Sequence, residues 1–120
     1  MISEAKKDVL AALDDSYNVI KNKQHFLLHS ISDHILHVMY IYQDPDIIDV
    51  AIAIYALDKI LEKEKFMYHP KMKEFVKDVL YFLKDAAHAL SVNDFDKYKH
   101  EVTNLLGIIQ SLTKKVKLYV

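Results

Sequence analysis

The chain has 120 residues and a net charge of −1, with 17 acidic residues against 16 basic ones, all of them lysine. Without Cys there are no disulfides, thiolate metal sites or cysteine nucleophiles, and without Arg there is no bidentate recognition of phosphate, carboxylate or guanine. One Gly and two Pro leave few residues for tight turns, which argues against hairpin-rich sheets, and the length and 52% hydrophobic content suit one packed domain over residues 1–120.

Ser3 is a candidate N-cap for a first helix, in which Val9, Leu10, Leu13, Tyr17 and Ile20 recur at 3/4 spacing. The stripe resumes in phase at Leu27, Leu28, Ile31, Ile35, Val38 and Tyr42, across a polar patch at Lys21–His25. One helix over 3–43 would be ~60 Å long, about twice the height of its neighbours, so a kink or short turn near 21–25 is expected. Asp44-Pro45 reads as a cap followed by proline at the first helical position. The helix it starts is expected to reach about Phe66. It carries the run Val50–Leu57, apolar nearly all round, which should place it centrally.

His69-Pro70 marks the next boundary, before a stripe of Met72, Phe75, Val76, Val79, Leu83, Ala86 and Leu90. Ser91 with Asp94 reads as a capping box for a last helix carrying Tyr98, Val102, Leu105, Ile109, Leu112 and Val116. Gly107 inside that helix is expected to mark a close contact. Four or five helices with connections of two to four residues imply an all-α, up-and-down antiparallel bundle. No internal repeat or linker is visible. The start has no signal-peptide character, and no apolar run approaches the ~20 residues that span a bilayer, so a cytoplasmic protein without membrane partners is expected.

Seven His are present, and four of them, His25, His29, His34 and His37, fall close together. On a helical wheel His25, His29, Asp33 and His37 share a side with Phe26, Leu36 and Tyr40. A face mixing imidazole, carboxylate and large apolar groups suits contact better than open solvent. Phe26, His29, Asp33, Leu36, His37 and Tyr40 are therefore the expected interface residues. His29, Asp33 and His37, four apart, also offer a transition-metal alternative, with Asp85 and His88 as ligands from the penultimate helix. His100-Glu101-Val102-Thr103-Asn104 lacks the second His of a zinc-protease helix. Asp44, Asp46 and Asp49 suit a helix start better than a calcium loop.

Lys73, Lys77 and Lys84 share one side of a helix, and Lys114, Lys115 and Lys117 lie near the end. Nucleic-acid binding would need such lysines to converge with aromatic rings between them, whereas Glu74, Asp78 and Asp85 are interleaved with the first group. Nucleic acid is accordingly not an expected partner. The sequence is best read as a non-catalytic interaction module, with a homo-oligomer or a protein partner and no cofactor. A metal-binding bundle is the alternative, and weak, non-specific nucleic-acid binding through lysine the second alternative.

Overall fold

Asp44 caps a helix as its residue type dictates: its Oδ1 accepts from the Asp46 N–H at 2.9 Å, with Pro45 at the first helical position. The computed structural model describes residues 2–63 and 70–116. Five α-helices run in order: α1 (Ile2–Lys21), α2 (Leu28–Tyr42), α3 (Pro45–Leu61), α4 (Pro70–Ser91) and α5 (Phe95–Val116). A short 3-10 turn, His25–Leu27, precedes α2. The fold is an all-α bundle, as the apolar periodicity requires.

The break expected near 21–25 is real, and size explains it. The molecule is 39 Å along its longest axis, too short for a straight helix over 3–43. α1 ends in a Schellman motif: the Gln24 N–H donates to the Val19 carbonyl at 2.8 Å and the Lys23 N–H to the Ile20 carbonyl at 3.1 Å. Lys23, Gln43 and Asn93 follow helix ends in the left-handed region, at φ 59°, 51° and 62°. Glycine would serve best there, but the single Gly stands elsewhere.

Some local expectations are corrected. Ser3 lies inside α1 and is exposed, so it is not the N-cap. Ser91 is the last residue of α4, and its hydroxyl donates to the His88 carbonyl at 2.7 Å. The cap of α5 is Asp94, whose Oδ1 accepts from the Lys97 N–H at 3.2 Å. α3 ends at Leu61, before the expected Phe66, and residues 64–69 lie outside the described part.

The helices pack by their predicted stripes, except that Leu27 stands exposed ahead of α2 and Val116 lies outside the described side chains. α1 lies against α2 and α4, α3 against α2 and α5, and α4 against α5, a closed ring around one core. α3 also touches α1 and buries Val50, Ala51, Ala53, Ile54 and Leu57 completely. Gly107 makes no close contact: a Cβ added there would meet nothing within 4 Å. Gly107→Ala should therefore stabilise the protein by about 1 kcal/mol by removing backbone entropy from the unfolded chain. Thermal unfolding should show a midpoint several degrees higher; an unchanged or lower midpoint would contradict this account.

A duplication hidden in the sequence appears in the structure. Raising every number of the α1–α2 hairpin by 70 gives α4–α5, with Glu4, Lys7, Asp8, Val9, Leu10, Leu13 and Asp15 matching Glu74, Lys77, Asp78, Val79, Leu80, Leu83 and Asp85. Residues 21–30 and 91–100 have the same burial pattern position by position. The turn repeats too: the Asp94 N–H donates to the Ala89 carbonyl at 2.9 Å and the Asn93 N–H to the Leu90 carbonyl at 3.1 Å. α1 and α4 lie antiparallel, because Lys6 Nζ near the start of one donates to Asn93 Oδ1 beyond the end of the other at 2.8 Å. Two αα-hairpins related by an approximate two-fold, with α3 between them in sequence, give this arrangement. The expectation of no repeat is corrected. Outside Lys7–Leu10 the two halves share burial more than residue identity.

Candidate functional site

The turn at Gln43–Asp44 folds α2 and α3 into an antiparallel hairpin, and His29 opposite Asp58 sets its register. The outer face of this hairpin carries the residues expected to make contacts. Phe26 (77% exposed) and Tyr40 (74%) stand in solvent, as do His29, Asp33 and His37. Leu36 differs: it is partly buried and packs against the core. On α3, Ile48, Ile52 and Tyr55 are exposed at spacings of four and three, which makes them one stripe. Register places Ile48 and Ile52 beside the Tyr40 end of α2 and Tyr55 nearer His29. Ile41 adds a further exposed apolar side chain at the Tyr40 end.

Within this face His29 bridges two carboxylates. Its Nδ1 lies 3.2 Å from Asp58 Oδ2 and its Nε2 lies 3.4 Å from Asp33 Oδ2. Asp58 is only 5% exposed, a carboxylate facing the second helix from a mostly buried position. A ring with one proton can donate to one of these partners; a doubly protonated ring can donate to both. Either way the carboxylates fix the ring. Asp58 thus holds Nδ1, while Nε2 lies toward Asp33.

The remaining members of the expected metal set stand apart. Asp85 and His88 are on α4, which packs against α1 and α5 and is not a main neighbour of α2. Asp85 accepts from the Tyr81 hydroxyl, and this bond pushes the phenol above its ordinary range. His37 is exposed on α2. Among the described residues no group of three or more His, Asp and Glu is arranged to hold a metal ion. Glu101 and Asn104 of the His-Glu-x-x-Asn stretch meet each other, Asn104 Nδ2 donating to Glu101 Oε1 at 3.4 Å. His34 faces α1, its Nε2 3.8 Å from Asp8 Oδ1.

Two residues of consequence escaped sequence reading. Asp58 was legible in principle, since it stands four after Ile54 and seven after Ala51, on a buried line. His25 was grouped with His29, Asp33 and His37, but the 3-10 turn breaks helical phase before it can join them. It lies instead at a cleft between the end of α1 and the start of α4. Neither His25 ring nitrogen has a hydrogen-bond partner among the described residues. Burial pushes the ring below the ordinary histidine range and Lys23 adds to this, so His25 is uncharged at neutral pH.

The lysines of α4 also fall differently from expectation. Lys73, Lys77 and Lys84 line the α1 side of the helix, beside Tyr17 and Tyr81. Glu74 and Asp78 line the α5 side. Alternation along the sequence becomes segregation in space.

The fold and this face define a five-helix bundle with an exposed apolar surface on one hairpin. No family model, curated protein or solved structure matches the chain. Among the described residues no helix is long and apolar enough to cross a membrane.

Proposed function

We propose that this protein acts without catalysis, as a helical interaction module that associates through the outer face of the α2–α3 hairpin. The observation that carries this reading is the concentration there of Tyr40, Ile41, Ile48, Ile52 and Tyr55, all exposed, on one pair of adjacent helices, with Phe26 exposed in the turn that precedes α2. Large side chains gathered in one place suit a contact surface; single exposed apolar residues would need no explanation. Tyr is favoured at interfaces because its ring is apolar and its hydroxyl can be satisfied at a wet rim. His37 and Asp33 can supply polar contacts at the edge of such a patch.

A two-fold homodimer is the simplest assembly. Antiparallel apposition of two α2–α3 hairpins would bring the Phe26 end of one against the Tyr40 end of the other. Light scattering should then give twice the 14.0 kDa mass of the chain. Tyr40→Asp with Ile52→Asp should return the mass to one chain while the helical circular dichroism is kept. Placing charge at the centre of such a contact costs over ~2 kcal/mol, a weakening of more than ~30-fold. A single-chain mass at high protein concentration would sink the homodimer.

A further inference from the structure

The internal repeat acts as a built-in comparison for the cleft at His25. At one end of the α1–α4 seam Lys6 on α1 closes onto Asn93 of the α4–α5 turn. Seventy residues on, the equivalents are Val76 and Lys23, which cannot make that bond. This end instead holds a cleft of about 440 Å³. The equivalent of His25 is Phe95, so an apolar ring meets the folding requirement at this position. His25 has two polar ring atoms out of contact with solvent, and among the described residues neither has a hydrogen-bond partner. Such atoms are rare and are normally satisfied by something.

Among the described residues, the charged side chains that line the cleft are all lysines. Lys21, Lys23 and Lys73 rim it over a floor of Ile20, Met72, Val76 and Leu80. Val76, Leu80 and Lys73 also belong to the adjoining hollow, where Lys77, Lys84, Tyr17 and Tyr81 continue the groove along α4. Among the described residues no carboxylate lines either part; Asp85 meets its edge at the Tyr81 hydroxyl. From Met72 to Lys84 the groove runs ~18 Å. Lysines recur along that length, so its complement is a ligand with repeated negative charge; an anion with a single head would need cations at one end only.

We propose that the α1–α4 groove binds a segment of single-stranded nucleic acid. The lysines meet successive phosphates. Tyr17 and Tyr81 offer ring faces to bases, and the apolar floor takes base surface. Both ring nitrogens of His25 are covered in the unliganded fold, so a rotation of the ring on binding brings its N–H and lone pair to a base edge or a phosphate oxygen. The absence of Arg implies binding with little base preference. The groove follows the α1–α4 seam, whereas the association face lies on the α2–α3 hairpin.

Fluorescence anisotropy with a labelled mixed-sequence RNA of about 12 nucleotides tests this at about 50 mM salt. Binding is expected, with a log–log salt slope between about −2 and −3.5 for three to five phosphates neutralised. Lys73→Glu with Lys77→Glu should weaken it about tenfold or more and flatten the slope by about 1.4. His25→Phe should keep the fold, as Phe95 does in the other half, and weaken binding about 3- to 10-fold. Lys97→Glu, on exposed α5 surface away from the groove, is the control and should change little. The proposal is overturned by any of three results: no binding at about 50 mM salt, equal loss in the control and groove variants, or preference for vesicles of anionic phospholipid over the RNA. An acidic peptide that displaces the RNA and binds more tightly would also overturn it.

Discussion

Leu13→Ala and Leu83→Ala are expected to destabilise the protein by about 2–5 kcal/mol each, and by nearly equal amounts. Both side chains are fully buried, and they occupy equivalent places in the two hairpins. The Lys6–Asn93 bond and the cleft that joins Ile20 to Met72 and Val76 fix the antiparallel register of α1 and α4. That register puts Leu13 and Leu83 together near the middle of the seam. Each truncation therefore opens a cavity in the same region, against a total stability of order 5–15 kcal/mol. Because the cavities adjoin, the double variant should depart from additivity by more than ~0.5 kcal/mol. Urea unfolding of the three variants measures this. A cost below 1 kcal/mol at either site, or strict additivity, would mean that the seam is not packed as described.

What the sequence made legible was periodicity. The apolar lines of Val9–Ile20, Met72–Leu90 and Tyr98–Leu112 mark the buried faces, because burial in a helix imposes 3/4 spacing on any sequence. The central place of α3 followed from Val50–Leu57 in the same way. Even there Ile52 and Tyr55 remain about half exposed, which periodicity in a nearly all-apolar run could not show. Asp44-Pro45 was legible because cap chemistry is local.

Legibility failed where the answer depends on which helices become neighbours. Lys73 and Glu74 are adjacent in sequence, yet one faces α1 and the other α5. Only the packing of α4 between those two helices gathers Lys73, Lys77 and Lys84 on one edge and Glu74 and Asp78, with Lys71, on the other. His25 failed for a different reason: its assignment assumed helical phase through a turn that interrupts it. For Gly107, sequence could suggest a close approach but could not show that the position faces open space. Of the expected contact residues, Phe26, His29, Asp33, His37 and Tyr40 are exposed, whereas Leu36 is partly buried at the margin between the outer face and the core.

Tyr98→Ala is expected to cost about 3–5 kcal/mol, the range for removing a large buried aromatic ring. Tyr98→Phe should cost only about 1 kcal/mol, the net value of a typical hydrogen bond. Tyr98 is 1% exposed, and its hydroxyl donates to the Asp46 carbonyl at 3.1 Å. Lys99 beside it pairs with Asp46 Oδ1 at 3.4 Å, so two neighbouring residues of α5 hold the first turn of α3. The equivalent residue in the other hairpin is Leu28, also fully buried, which shows that the position demands apolar volume and that the hydroxyl is an addition. Burial pushes the Tyr98 phenol far above its ordinary range, and the carboxylates of Asp46, Asp44 and Asp49 push the same way. The folded state therefore retains this proton where the unfolded chain releases it near pH ~10. Stability from this source is complete below that pH and is lost as pH rises above it. Ultraviolet titration should find Tyr98 un-ionised until the protein unfolds. In Tyr98→Phe the alkaline fall in stability should be shallower. An equally steep fall in that variant would place the alkaline sensitivity elsewhere, and a Tyr98→Phe cost near that of Tyr98→Ala would mean that the hydroxyl, more than the ring, joins α5 to α3.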